Sequence, residues 1–152
     1  MSKNLKALYS HKSDEWSTPQ DLFDRLNAEF NFTLDVSASE NNHKCERYYT
    51  VADNGLEKSW SGERVFCNPP YSAISEWVAK SWRESFNPNT LVVMLIPART
   101  DTRYFHDYIL NRSEIRFIRS RLKFVWGGGT LQETSSAPFP SMLVIFRSAG
   151  VK

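Results

Sequence analysis

The chain has 152 residues, 41% of them hydrophobic, and a formal net charge of +2, which suits one domain and leaves any nucleic-acid partner to be argued from local charge. No apolar run approaches the ~20 residues of a membrane span and the polar start has no apolar signal core, so no membrane partner and a cytoplasmic location are expected. Two cysteines without CxxC spacing and three scattered histidines do not make a zinc pattern, and no metal is expected.

Residues 1–14 are polar and are expected to be flexible; a single domain is expected over 15–148. Ser17-Thr18-Pro19 predicts a helix start, with Thr18 as the cap, Pro19 at the first helical position and Asp21 in the first turn. Leu22, Phe23, Leu26 and Phe30 follow at helical spacing and predict one buried face. Trp16 either staples the helix start onto Leu22 or Phe23 or forms a wall of a ligand pocket. Phe32 to Val36 reads as a strand carrying an acid, Asp35, near its end, with small residues Ser37-Ala38-Ser39 after it. Asp35 either closes the strand as an Asx turn or faces a polar ligand across the sheet edge. Arg47 to Val51 suits a short strand. Asp53-Asn54-Gly55 is a turn signal, and Asp53 is either turn chemistry or a second ligand-facing carboxylate.

Val65-Phe66-Cys67 reads as a buried strand, and a helical pattern begins at Ser72. Asn68-Pro69-Pro70-Tyr71 lies between them, at the carboxyl end of a strand, where open α/β sheets hold their ligands. Two prolines remove two backbone donors and fix two φ angles, and the residue before each is pushed out of the helical region. The segment is therefore stiff, with carbonyls that no ladder consumes. The Asn68 amide oxygen and the Pro69 carbonyl suit two hydrogen bonds from one flat –NH2 group, and Tyr71 adds an aromatic face. Asn-Pro and Pro-Pro also punctuate ordinary loops; the flanking strand, aromatic and helix favour a pocket for an amino group on a planar substrate.

Ile74, Trp77, Val78, Ser81 and Trp82 mark a helix face, with Glu76 and Lys80 spaced as an ion pair. Thr90 to Ile96 is continuously apolar, as in a strand buried on both faces, and Pro97 stops it. Thr102 to Leu110 predicts a helix. Ile115 to Phe117 and Leu122 to Phe124 read as half-exposed strands, Gly127 to Ser136 as a loop suited to base contacts, and Ser141 to Phe146 as a last strand. Strands alternating with helices and then a strand-rich end argue for an α/β sheet with late antiparallel pairing. Arg112, Arg116, Arg119, Arg121 and Lys123 cluster against one acid, Glu114, with Arg99 and Arg103 nearby. They form either a phosphate-binding face or a solvated strand edge.

Trp16-x-Thr18-Pro19, Leu34-Asp35-Val36-Ser37-Ala38-Ser39 and Val65-Phe66-Cys67-Asn68-Pro69-Pro70-Tyr71 together resemble the phage DNA N6-adenine methyltransferases, the Dam family. Leu95 to Thr102, Arg121 to Phe124 and Ala137 to Met142 resemble it too, so the likeness covers roughly residues 15–147. It implies a class I, Rossmann-like α/β methyltransferase with a mixed, mostly parallel sheet and reduced helical crossovers. It implies S-adenosylmethionine as cofactor and double-stranded DNA as partner, in host cytoplasm if the chain is phage-encoded. Asn68, Pro69, Pro70 and Tyr71 would be catalytic; Trp16, Thr18, Pro19, Asp35, Ser37 and Asp53 would meet the cofactor; Arg99, Arg119, Arg121 and Lys123 would meet DNA. Two departures stand out. Val36 replaces the proline usual after the first-motif aspartate, and the stretch from Ala38 to Asp53 is too short for a full strand–helix–strand crossover. The ribose-binding acid is left open between Glu40 and Glu46. Methylation of RNA or of a protein glutamine, or a non-catalytic DNA- or cofactor-binding remnant, are the rival readings; both monomer and homodimer remain open.

Overall fold

The structure is a computed structural model that describes residues 17–126 and 133–152. The N-terminal stretch 1–14, Trp16 and the glycine run 127–129 lie outside the described residues. In chain order the elements are α1 (Gln20–Phe30), β1 (Leu34–Asp35), β2 (Arg64–Cys67), α2 (Ile74–Glu84), β3 (Leu91–Pro97), β4 (Glu114–Phe117), β5 (Lys123–Trp126), β6 (Glu133–Ser136) and β7 (Ser141–Arg147). Among the described residues five strands form one sheet in the order β1-β2-β3-β7-β4, and β5 pairs with β6 as a separate antiparallel ribbon. β1, β2 and β3 are parallel, while β7 runs antiparallel to both β3 and β4. The result is a mixed sheet in an α/β fold, parallel over β1, β2 and β3, whose antiparallel pairing comes from the last strand.

Side-chain alternation explains why both faces are covered. Val65 and Cys67 of β2, Val92, Met94 and Ile96 of β3, and Met142, Val144 and Phe146 of β7 pack with Ile74, Trp77 and Val78 of α2. Phe66, then Leu91, Val93 and Leu95, then Leu143 and Ile145 pack on the opposite face with Leu22, Phe23, Leu26 and Phe30 of α1. A strand sandwiched this way has no polar face, which accounts for the unbroken apolar run in β3. Each such buried aliphatic side chain contributes about 1.5–3 kcal/mol relative to exposure.

Several elements differ from expectation. Arg47–Val51 forms no ladder; Tyr48 alone bridges parallel to Asp35, because the chain turns away at once, with Asp53 N–H donating to the Thr50 carbonyl at 3.0 Å. No α-helix intervenes between β1 and β2, only a 3-10 turn at Gly55–Glu57, so the crossover is indeed reduced. A 3-10 turn at Tyr71–Ala73 delays α2 to Ile74. Lys80 lies 3.7 Å from Glu84, not paired with Glu76 as expected, and donates to the Lys58 carbonyl. The helix expected over 102–110 is a π-helical turn at Phe105–Ile109, with Leu110 N–H donating to Phe105 C=O at 2.8 Å. Residues 133–136, expected as loop, are the strand β6.

Candidate active site

Three segments converge at the carboxyl ends of β1 and β2: the turn entering α1, the turn after Asp35, and Asn68–Tyr71. Pro19, rather than Thr18, stands at the cap position of α1, and no side chain caps the helix. The buried Thr18 hydroxyl is used elsewhere: its Oγ1 accepts a hydrogen bond from Asn68 Nδ2 at 3.0 Å. Beside it the Ser17 hydroxyl donates to Asn42 Oδ1 at 3.0 Å. The helix start is thereby fastened to the motif after β2 and to the turn after β1.

The Asn68 amide has its nitrogen toward Thr18 and its oxygen at the other end. Asn68 itself is half-buried and follows Cys67, which is fully buried in the sheet. Burial also pushes the Cys67 thiol well above its ordinary value, so it stays protonated. The Pro70 carbonyl accepts from Ala73 N–H at 3.1 Å, closing the 3-10 turn, whereas the Pro69 carbonyl enters no backbone hydrogen bond among the described residues. An amide side chain and an unladdered main-chain carbonyl are thus neighbours in sequence on a stiff segment. Tyr71 packs edge-on against Phe139, with ring centroids 5.3 Å apart. Its hydroxyl is buried with no hydrogen-bond partner among the described residues. Burial raises its phenol above the ordinary value, and the positive charge of Arg99 only partly opposes that. Tyr71 is therefore a neutral aromatic surface at working pH, not a base.

Asp35 closes the strand as an Asx turn. Its Oδ1 accepts from Ser37 N–H at 3.4 Å, an Asx turn, and its Oδ2 accepts from Lys44 N–H at 2.9 Å. The carboxylate therefore shapes the whole 36–44 turn from inside. Burial pushes its pKa from 3.8 up to about 6, against the lowering effect of those two N–H groups and of the His43 and Lys44 charges. Ser37 and Ala38 are half-exposed. Asp53 is exposed, and its Oδ2 accepts from Thr50 N–H at 2.8 Å and from the Thr50 hydroxyl at 3.2 Å, so it closes its own turn. That turn is pressed onto the end of β1: a Cβ added at Gly55 would lie 2.4 Å from the Val36 carbonyl oxygen. Buried Trp60 holds it there, donating from Nε1 to the Gly55 carbonyl at 2.9 Å.

Beyond Tyr71 lies an open pocket of about 380 Å³, lined by Tyr71, Ser72, Arg99, Thr102, Arg103 and Tyr104 among others. The Arg99 guanidinium lies 6.0 Å from the centroid of Phe139. Phe139 had no role assigned from sequence, although it links Arg99 to Tyr71; the flanking Pro138 and Pro140 were the available signal. The basic cluster divides. Arg116 is held by Glu29 through two bonds of 2.7 Å and by Glu114 at 2.5 Å. Glu114 also takes Arg147 at 2.6 Å. Arg119, Arg121 and Lys123 are exposed, with Arg121 donating to the Ala137 carbonyl at 3.3 Å. Among the described residues no group of His, Cys, Asp and Glu is arranged to hold a metal, and no helix is long and apolar enough to cross a membrane.

The family model of the DNA N-6-adenine-methyltransferases (Dam) matches residues 6–150. The chain is 36% identical over 140 residues to a DNA N-6-adenine-methyltransferase of Haemophilus phage HP1, covering 89% of this chain and 80% of that protein. It is 35% identical over 111 residues to a DNA N-6-adenine-methyltransferase of Escherichia phage T1, covering 72% of this chain and 46% of that protein. With a match over nearly the whole chain, including the motif after β2, this protein belongs to the Dam family of DNA N-6-adenine-methyltransferases.

Proposed function

We propose that the chain transfers a methyl group from S-adenosylmethionine to the N6 amine of an adenine flipped out of duplex DNA. The observation that carries this reading is the Asn68 amide fastened to Thr18, followed by a Pro69 carbonyl that enters no backbone hydrogen bond among the described residues. The residues present fit the cofactor. It carries positive sulfonium and ammonium groups, and the crevice is bounded by the Asp35 carboxylate and by oxygen acceptors. Trp16, Thr18 and Pro19 would hold the methionine part; Ser37 and the turn held by Asp35 would hold the next portion, and Asp53 would meet the adenine. When bound, the cofactor supplies an electrophilic methyl on sulfur.

The chain's residues do the rest. The adenine amine is a poor nucleophile because its lone pair is delocalised into the ring. Asn68 cannot remove a proton at neutral pH. Instead its amide oxygen and the Pro69 carbonyl accept the two N6 hydrogens, which draws the nitrogen toward tetrahedral geometry and localises the lone pair. This is electrostatic stabilisation of charge developing on nitrogen, combined with alignment toward the methyl. The proton leaves after transfer. Tyr71 stacks on the base, and Pro70 keeps the segment rigid. Flipping costs a few kcal/mol, which phosphate contacts from Arg99, Arg119, Arg121 and Lys123 help to offset. The domain over 15–148 acts as one unit in the cytoplasm, that of the host if the chain is phage-encoded.

The test is transfer of labelled methyl to unmethylated duplex DNA, followed by digestion and separation of nucleosides. Label in N6-methyladenine is expected. Asn68→Ala should abolish transfer while fold and cofactor binding survive. Cofactor binding with label only in RNA or protein would replace the DNA reading.

A further inference from the structure

We propose that Arg99 and Arg103, in the pocket beyond Tyr71, clamp one phosphate next to the target adenine, and that this single contact, rather than diffuse positive charge, positions the base for transfer. The inference rests on the methyl-transfer reading and deepens it: it adds Arg103 and ties Arg99 to one particular linkage of the strand.

The pocket, of about 380 Å³, is lined by Tyr71, Ser72, Arg99, Thr102, Arg103 and Tyr104 among others. It shares Tyr71 with the catalytic motif, so a base at that ring brings its flanking phosphates to the pocket. The fold fixes this wall. Arg99 stands just past β3, where Ala98 N–H donates to Pro140 C=O at 2.8 Å. Its guanidinium lies 6.0 Å from the centroid of Phe139, whose ring packs edge-on against Tyr71. Burial raises the Tyr71 phenol and the Arg99 charge opposes that rise, so the cation is near enough to be felt at the motif.

The acceptors of the loop are used within it. The Thr102 hydroxyl donates to the Arg99 carbonyl at 2.8 Å, His106 N–H donates to the Thr102 carbonyl at 3.3 Å, and His106 Nε2 lies 2.8 Å from the Thr100 carbonyl oxygen. What the arginines offer a ligand is N–H groups that only donate. Their charges are not spent on carboxylates. Among the described residues the ion pairs of arginine are Arg47 with Glu63, Arg116 with Glu29 and Glu114, and Arg147 with Glu114. None of these reaches Arg99 or Arg103, and Asp101, between them in the chain, is exposed. Two unneutralised guanidiniums on one wall suit an anion with several acceptor oxygens. An open pocket with a polar lining suits a strand that runs past it, whereas a small-molecule site encloses its ligand in mostly apolar walls. A phosphate contact fixes where the strand lies, and holding the one beside the adenine orients the reacting nitrogen. Phosphates farther along add affinity without placing that base.

The experiment uses a duplex that the protein methylates, with its modified adenine mapped. One phosphate is replaced by a neutral methylphosphonate: on the 5′ side of that adenine, on its 3′ side, or at a distant linkage. In wild type one of the two flanking replacements should lower kcat/KM about 10- to 100-fold, the scale of a lost charge-assisted hydrogen bond. The distant replacement should cost less than about threefold. Arg99→Gln combined with Arg103→Gln should lower transfer to the unmodified duplex at least as much. The flanking replacement should then cost that double variant no more than about twofold further, because guanidinium and phosphate are one interaction. Each single variant should show a smaller flanking penalty than wild type. Equal penalties at flanking and distant linkages in wild type overturn the proposal, as does a full further loss in the double variant or a single variant as sensitive as wild type. Both side chains are exposed; if the double variant does not fold, the wild-type comparison and the two single variants decide. Wild-type protein that methylates no DNA overturns the methyl-transfer reading itself, a result distinct from all of these.

Discussion

Asp35 places a carboxylate where water barely reaches, and stability should register that. Its pKa in the folded protein is raised from 3.8 to about 6, so the folded state binds the proton more tightly than the unfolded state does. The corresponding stabilisation is fully present below about pH 3.8 and is lost as pH rises through about 6. The unfolding free energy contributed by this group should therefore fall by about 2 kcal/mol between pH 4 and pH 7. Urea unfolding at stepped pH should show that fall, and Asp35→Asn should flatten it. An unchanged slope in the variant would remove Asp35 as its source. Gly55 makes a second prediction at this scale. Its missing Cβ would meet the Val36 carbonyl at 2.4 Å and the Trp77 ring at 3.1 Å, and a main-chain carbonyl cannot swing aside. Gly55→Ala should cost about 1–3 kcal/mol in the same unfolding measurement, although the substitution would favour an ordinary exposed turn.

The elements divide into those decided by their own residues and those decided by partners. β3 and the buried face of α1 were legible because burial on two faces, or on one stripe, leaves a periodic trace in the residues themselves. Asn68–Tyr71 was legible because prolines act locally. The cap assigned to Thr18 failed for the opposite reason: its hydroxyl answers to Asn68, and no local pattern records a partner 50 residues away. β6 is Glu-Thr-Ser-Ser, with little strand propensity, and forms because β5 offers a ladder. Arg47–Val51 has strand-like residues but only a two-residue edge, Leu34–Asp35, to pair with. The basic stretch looked uniform in sequence because Glu29, which neutralises Arg116, is 87 positions distant. That division is testable by titrating DNA binding across salt concentrations. Arg121→Ala or Lys123→Ala should each reduce the log–log salt slope by about 1. Arg116→Ala should leave the slope unchanged and instead cost up to about 1 kcal/mol of stability, a small value because the pair is partly solvent-exposed.

For the molecule as a whole, the strand that follows all others in the chain sits inside the sheet, between β3 and β4. Seven residue pairs join β3 to β7, from Leu91 with Arg147 to Pro97 with Ser141, and among the described residues β4 reaches the sheet only through β7. On a translating ribosome, β1, β2 and β3 emerge first and can associate, but β3 must then wait with one apolar edge unpaired. Such an edge is a template for pairing with other chains, so the nascent protein passes through an aggregation-prone stage late in synthesis. A chain ending at residue 140 should be cut readily by protease, whereas the chain carried through Arg147 should be resistant. A stop codon just before Ser141 would thus remove the middle of the sheet rather than trim its rim.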